Sequence, residues 1–174
     1  MIRKILASTD PKLRQLSKPV LKIDKKVLSI VKDLTQTLSV QKEPEGVGLA
    51  APQIGRPVRI FVMLDAGEMK PIINPEILKV SEEKSGKLKK GEIMEGCLSL
   101  PHYYGPLKRS KKITIKYLNS EANEVIEDFV GFTAQIVQHE IDHLNGILFI
   151  DRLLTDKKPL YKLAGDEWEE VELI

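Results

Sequence analysis

The sequence predicts an α+β fold: mainly antiparallel β-sheets packed around one central helix, with a second, amphipathic helix near the N-terminus. Two segments far apart in the chain, residues 25–42 and 133–145, show the apolar spacing of helices. Short extended runs lie before and after these segments, which is typical of an α+β domain with mainly antiparallel sheet. At 174 residues, the chain is long enough for one domain with its own hydrophobic core.

Composition narrows the class of protein. Apolar residues make up 42% and charged residues 30%, which indicates a folded, soluble protein. Because 27 basic residues oppose 25 acidic ones, the net charge is only +2, and we expect no DNA partner. No apolar run approaches the roughly 20 residues that cross a bilayer, so we expect no membrane contact. The single cysteine and the absence of a signal or transit composition at the start predict a cytoplasmic protein.

The first helix is predicted over residues 25–42. Asp24 suits the N-cap position, and Pro44-Glu-Gly46 ends the helix. Its apolar residues recur at helical spacing and form the face that we expect to be buried. They are Val27, Leu28, Val31, Leu34 and Leu38.

The chain that follows is predicted to be extended. Residues 46–55 are small and Gly-rich, and residues 58–64 resemble a buried strand. Residues 72–80 form a second extended stretch with a bend at Asn74-Pro75. The Lys/Glu/Gly-rich segment 81–91 is predicted to be a solvated hairpin loop. Its basic residues could touch RNA, but the interleaved Glu and Gly favour a plain exposed loop.

The second half of the sequence predicts a pair of strands, a helix and a C-terminal hairpin. Residues 112–118 alternate cleanly, and residues 124–128 return after a turn. The second helix covers residues 133–145 and stops at Gly146. The tail, residues 153–174, predicts a β-hairpin around Gly165-Asp166. We therefore expect one catalytic domain over residues 1–174, with a core over residues 1–152.

A metal site is predicted on the second helix, where His139-Glu-Ile-Asp-His143 matches the pattern HExxH. Residues four apart on a helix lie one above the other, so both imidazoles can reach one ion. Glu140 lies close enough to reach a water on that ion, and Phe132 and Ile136 share the inner face with the histidines. The pattern also occurs by chance in ordinary helices, so alone it is a hypothesis.

A catalytic site of this kind needs a third protein ligand. The metalloprotease extension HExxHxxGxxH would place a histidine at position 149, where this chain has Phe149. Cys97 is the only thiol and becomes the favoured third ligand, although a buried structural cysteine is the competing interpretation.

The Gly-rich segment before the first predicted strand contains a second chemical group. Gly and Ala allow the backbone to approach a ligand closely, and the amide of Gln53 can donate to a developing oxyanion. Such a segment can equally be a tight turn.

The segments GVGLAAPQ, EGCLS and QHEIDHLNG resemble, in the same order, the three sequence motifs of the peptide deformylase family. The likeness extends over about the first 150 residues, from Asp10-Pro-Lys-Leu-Arg14 to Leu148-Phe-Ile-Asp151. It implies that Glu140 is the catalytic acid and base, and that Gln53 and the backbone N–H of Leu98 stabilise the oxyanion. The implied metal ligands are Cys97, His139 and His143.

The resemblance implies removal of the formyl group from N-terminal formyl-methionine of newly synthesised polypeptides, with release of formate. A metal-bound water would attack the formyl carbon, and Glu140 would move the proton. The implied metal is one divalent ion per chain, Fe(II) first, with zinc, nickel or cobalt as alternatives. The methionine side chain would enter a pocket formed by Val47, Gly48, Ile93, Phe132 and Ile136.

The chain departs from the family pattern at two places. Tyr104 stands where many members carry arginine, which puts peptide recognition beyond the methionine in doubt. The short, strand-like tail replaces the long helix of many bacterial members, which puts in doubt a ribosome contact made through such a helix, although a transient contact stays possible. His102 is either a neighbour of the metal or an ordinary surface histidine, and the second is favoured.

Three other functions stay open on the residues. A metallopeptidase could use the same helix, a related enzyme could act on another formylated amine or amide, and a structural or storage site could hold the metal without catalysis. Glu140 together with Gln53 favours the deformylase, because a closed structural site needs neither residue.

Overall fold

The computed structural model of the protein describes residues 1–84 and 94–172. Within these ranges it contains three α-helices and two antiparallel β-sheets, so the predicted α+β class with mainly antiparallel sheet is confirmed. The helices are α1 (Lys25–Ser39), α2 (Phe132–Leu144) and α3 (Phe149–Thr155). The strands are β1 (Gly48–Ala50), β2 (Ile60–Asp65), β3 (Glu68–Val80), β4 (Glu95–Cys97), β5 (Leu100–Gly105), β6 (Lys112–Leu118), β7 (Glu124–Val130), β8 (Leu160–Ala164) and β9 (Glu167–Val171).

Helix α1 begins where its N-cap predicts. The side chain of Asp24 accepts hydrogen bonds from the backbone N–H groups of Lys26 and Val27, both at 2.9 Å. The helix ends at Ser39, earlier than the predicted residue 42. Beyond it, the Gln41 side chain donates to the carbonyl of Thr37 at 3.0 Å and satisfies an acceptor of the last turn. Its buried apolar residues are Ile30, Leu34 and Leu38, whereas Leu28, which was expected on the buried face, is 41% exposed.

The larger sheet has the strand order β1-β2-β3-β6-β7. The turn between β2 and β3 consists of Ala66 and Gly67, with φ of 49° and 84°, as a type I′ hairpin requires. This tight turn lets β3 begin at Glu68, before the predicted residue 72. At Asn74, φ is 51° and the pairing of β3 with β6 shifts its register, which agrees with the predicted bend.

The two faces of the larger sheet carry different helices, because successive residues of β2 point to opposite sides. Ile60 and Val62 belong to the core formed with α1, while Phe61 and Met63 belong to the core formed with α2. All four side chains are fully buried, and each contributes roughly 1.5–3 kcal/mol through removal from water. The sheet therefore fixes the position of α2 through a continuous apolar contact.

Helix α2 lies within one residue of the predicted range at each end. It stops at Gly146, whose φ of 72° suits the left-handed position after a helix. A Cβ at this glycine would lie 2.5 Å from the carbonyl oxygen of Arg14, so the N-terminal segment leaves no room for a side chain there.

The smaller sheet has the order β4-β5-β8-β9, so β9 lies at its edge. The tail forms the β8–β9 hairpin, with Gly165 (φ 63°) in its turn, and β8 pairs with β5. Helix α3 covers this sheet with Phe149 and Leu153. Helix α3 was not predicted from the sequence, because seven residues are too short to show helical periodicity.

Of the predicted loop over residues 81–91, the part from residue 85 onward lies outside the described residues. The described start of this loop is hydrogen-bonded to the larger sheet, since the backbone N–H of Ser81 donates to the carbonyl of Lys112 at 2.9 Å. Among the residues that the structure describes, no helix has the length and apolarity needed to cross a membrane.

Candidate metal centre

The three predicted metal ligands lie together. Single ligand atoms of Cys97, His139 and His143 are all within 4.8 Å of one another, and all three residues are buried. The sulfur of Cys97 lies 3.2 Å from Nε2 of His143, and the two imidazole rings are 4.8 Å apart at their centroids. Strand β4 supplies the cysteine and α2 supplies both histidines. One thiol and two imidazoles form a donor set that suits a divalent transition metal with an open fourth position.

The charges in this cluster also favour a cation. Burial acts to raise the pKa of the Cys97 thiol, but the imidazoles of His143 and His139 outweigh it and bring that pKa well below its ordinary value. Thiolate is the form of cysteine that binds metals. Burial acts to lower the pKa of His139, but Cys97 and Glu95 raise it well above its ordinary value. A metal ion would replace these protons as the positive charge beside the thiolate.

Glu95 forms a hydrogen bond with Nδ1 of His139, a contact that was not predicted from the sequence. Its Oε1 accepts from Nδ1 of His139 at 2.7 Å. Two hydrogen bonds from Arg109, at 2.6 and 2.9 Å, hold the same carboxylate. Burial opposes ionisation of Glu95, yet Arg109 and His139 lower its pKa to about 2. The glutamate was visible as the first letter of EGCLS, but no spacing rule connects it to a histidine 44 residues later.

The ion pairs continue from Arg109 to helix α3. Arg109 donates to Asp142 at 2.7 Å, and Arg152 donates to the same carboxylate at 2.6 and 3.1 Å. Asp142 occupies the second variable position of the HExxH pattern, and no role was predicted for it from the sequence. Charges therefore alternate from α3 to the ligand His139, and the two buried carboxylates of this series, Glu95 and Asp142, are both paired.

Glu140 faces the same space as the cluster. Its carboxyl group is buried, and its Oε2 has no hydrogen-bond partner among the described residues. Burial raises the pKa of Glu140 to about 7, against the lowering effect of the neighbouring histidines. Gly48 makes room for this carboxylate, because a Cβ there would lie 2.5 Å from Oε1 of Glu140. A buried acceptor without a partner is costly, so this atom is placed to receive a ligand or water.

Gln53 is held beside the cysteine by three polar contacts. Its Oε1 accepts from the backbone N–H of Ala50 at 2.8 Å, and its Nε2 donates to Ser99 at 3.1 Å. The same nitrogen lies 3.6 Å from the sulfur of Cys97. The 3₁₀ helix Ala51–Ile54 gives the side chain this orientation. The Ser99 hydroxyl, which fixes the amide, was not predicted from the sequence.

A cavity of about 310 Å³ opens onto the cluster. Ile93, predicted for the methionine pocket, lies outside the described residues. His102 also lines the cavity, but it is exposed and does not belong to the three-residue ligand cluster. Tyr104, which lies on β5, lines the cavity as well. The other predicted site residues that line it are Val47, Gly48, Gln53, Cys97, Leu98, Phe132, Ile136, His139 and Glu140.

Known proteins are similar to this chain in both sequence and fold. A model of the polypeptide deformylase family matches residues 2–159. The peptide deformylase of Pseudothermotoga lettingae is 46% identical over 159 residues, covering 91% of this chain and 86% of the relative. That of Halothermothrix orenii is 48% identical over 157 residues, covering 88% of this chain and 92% of the relative.

Solved structures agree with the sequence relatives. The crystal structure of peptide deformylase from Thermotoga maritima is similar with a TM-score of 0.78 and 39% identity, covering 87% of this chain and 97% of that one. The crystal structure of the Ehrlichia chaffeensis enzyme in complex with actinonin is similar with a TM-score of 0.80 and 36% identity, covering 90% and 91%.

Proposed function

Because the chain belongs to the polypeptide deformylase family of metal-dependent hydrolases, we propose that it removes the formyl group from N-terminal formyl-methionine of new polypeptides and releases formate. The observation that carries this proposal is the position of Glu140. One of its carboxylate oxygens, which has no partner within residues 1–84 and 94–172, is buried at a cavity that also reaches Cys97 and His139. Hydrolysis requires an open position at the metal and an adjacent proton acceptor. A purely structural metal site needs neither of these two features.

We assign one divalent metal ion to Cys97, His139 and His143. Fe(II) is our first choice, with zinc, nickel or cobalt as alternatives that the same donor set accepts. When bound, such an ion would lower the pKa of water and polarise the formyl oxygen. Glu95 would keep Nδ1 of His139 occupied, so that Nε2 of this ring faces the ion.

Glu140 moves the proton in this proposal. Its carboxylate accepts a proton from the water that attacks the formyl carbon, and then gives that proton to the leaving amine. Gly48 supports this role, because its missing side chain keeps Oε1 accessible to the cavity.

Two amide groups would stabilise the oxyanion of the tetrahedral intermediate. Nε2 of Gln53 is held near Cys97 by the contacts with Ala50 and Ser99. The backbone N–H of Leu98, the residue after that cysteine, is the second donor. Donors that are fixed before the reaction stabilise the developing charge without reorganisation.

The methionine side chain would occupy the apolar part of the cavity. Val47, Gly48, Phe132 and Ile136 line it, and we add Ile93 from the sequence resemblance. An unbranched thioether adapts well to such a lining. Because formyl-methionine is exposed as a polypeptide emerges during translation, we also infer a cytoplasmic location and a transient ribosome contact.

Formate release decides between these functions. The metal-loaded protein should release formate from formyl-Met-Ala, lose this activity to a chelator and leave casein intact. Casein cleavage without formate release would assign the site to a metallopeptidase. Metal bound without either activity would assign it to a structural or storage role.

A further inference from the structure

A second cavity, of about 520 Å³, lies on the side of α2 that faces away from the metal ligands. Ile141 of this helix lines it, together with Asn145 at the C-cap and residues of β3 and of the segments before α1 and β2. Ile141 is two residues from both His139 and His143, so at about 100° per residue it points to the opposite side of the helix. Among residues 1–84 and 94–172, the two cavities share no lining residue.

The guanidinium of Arg59 lines this second cavity and is half-buried. Its Nη1 donates to Oδ1 of Asn145 at 2.9 Å, and its Nη2 donates to the carbonyl of Pro75 at 3.3 Å. A guanidinium has five N–H groups, so these two contacts leave three of them available to a ligand. Both acceptors are neutral, and no carboxylate of the described residues forms an ion pair with Arg59.

A counter-ion is therefore missing for a partly desolvated charge. Burial lowers the pKa of Arg59 below its ordinary value, and no described carboxylate offsets this effect. Arg109, the other arginine in the interior near α2, is paired with two carboxylates. Glu76 also lines the second cavity, but its carboxylate pairs with Lys116 at 3.0 Å. The charge of Arg59 thus favours binding of an anion.

The other lining residues indicate which kind of anion fits. A single planar guanidinium matches a carboxylate through two parallel hydrogen bonds. The Nδ2 group of Asn145 is a further donor beside it, because Oδ1 of this amide already accepts from Arg59. The volume lies within the range of small-molecule sites. Apolar walls complete the cavity and are formed by Pro19, Pro75, Ile77 and Ile141.

We propose that the second cavity binds a small carboxylic acid with a short apolar chain, whose carboxylate pairs with Arg59 and whose chain packs against Ile77 and Ile141. This inference goes beyond the proposed function, because it uses no residue of the metal centre. The competing role of Arg59 is structural, since its two contacts also connect the end of α2 to β3. A structural connection binds no acid, so a direct binding measurement distinguishes the two roles.

The binding test is an NMR titration of the zinc-loaded protein with 4-methylpentanoate. The side-chain N–H signals of Arg59 and Asn145 should shift. We expect this acid to bind about 10-fold more tightly than 4-methylpentanamide, which lacks the negative charge. Acetate and inorganic phosphate should bind about 10-fold more weakly than the acid, because they lack the apolar chain.

Two variants test the walls of the cavity. Arg59→Gln should weaken binding of 4-methylpentanoate about 10-fold or more, whereas Arg56→Gln, the same change at an exposed residue outside the cavity lining, should not. Ile77→Glu leaves the contacts of Arg59 intact and places a negative charge on the wall. It should therefore weaken binding as well, which keeps the test decisive if Arg59→Gln fails to fold.

Several results would overturn the proposal. The amide or phosphate could bind as tightly as the acid, or both cavity variants could retain normal affinity. Shifts confined to residues of the metal centre would mean that the acid binds the metal alone. Acetyl-leucine carries the same groups at the end of a peptide, and if it bound more tightly than 4-methylpentanoate, the site would belong to the C-terminus of a chain instead of a small acid. Formate release enters none of these measurements, so the proposed function stands or fails separately.

Discussion

Oε1 of Glu95 lies 2.7 Å from Nδ1 of His139, and this contact orients the imidazole toward the sulfur of Cys97. We therefore expect Glu95→Gln to weaken metal affinity about 10- to 100-fold, because the amide holds the ring less firmly. Competition with a chromophoric chelator measures this affinity. Glu76→Gln, an exposed change on β3, is the control, and unchanged affinity in Glu95→Gln would remove the orienting role.

Gln53→Leu should retain the metal but lower kcat about 100- to 1,000-fold, because one oxyanion donor is lost. Metal content and formate release are measured on the same preparation. Ser99→Ala, which removes only the hydroxyl that fixes the amide, should cost less. A Gln53→Leu enzyme with near-normal turnover would contradict the oxyanion role.

Gly48→Ala should slow the reaction through Glu140. The new methyl group would displace the carboxylate, whose Oε1 would otherwise lie 2.5 Å from it. A displacement of about 1 Å can cost about 100-fold in rate. Glu140→Ala should lose more than Gln53→Leu does, and metal content should stay normal in both the Gly48 and Glu140 variants. Loss of metal instead of rate would show that these residues support the ligands.

Asp142→Ala should lower the free energy of unfolding by roughly 3–5 kcal/mol, because it leaves Arg109 without one of its buried partners. Arg152→Ala should cost about 1 kcal/mol or less, since its side chain is 47% exposed. Urea unfolding of both variants tests this order. Equal losses would mean that the two ends of the ion-pair chain are equally important.

Stability at acidic pH should depend on Asp33. The amino group of Met1 and the guanidinium of Arg3 hold the pKa of its carboxyl below the ordinary value, although burial opposes them. A lowered folded-state pKa contributes stability above the unfolded-state pKa of about 3.9, and this contribution is lost as the pH falls further. Asp33→Asn should therefore be less stable at neutral pH and lose less stability on acidification. Asp156→Asn, at an exposed position, should follow the unchanged protein.

Local signals in the sequence were enough to predict α1, α2 and the two histidine ligands. Asp24 marks the start of α1 and Gly146 marks the end of α2, each by its own local conformation and contacts. The spacing of His139 and His143 follows from helix geometry alone. Cys97 was reached only by elimination and by resemblance, since no local rule connects strand β4 to α2.

The surroundings of the site could not be predicted in the same way. Arg109 and Asp142 are 33 residues apart, and charged residues of this kind are usually solvated. They meet in the interior because the segment between β5 and β6 lies against α2. The Tyr104–Trp168 contact likewise depends on the pairing of β8 with β5, which joins the tail to the cavity wall.

The position of β9 at the edge of the smaller sheet has a consequence for solubility. An edge strand offers unpaired backbone groups to any other extended chain, which makes it a potential site of aggregation. Glu167, Glu169 and Glu170 place three negative charges on its five residues. Two copies that approached each other through this edge would therefore repel, so the charges of the tail discourage the protein from forming intermolecular sheets.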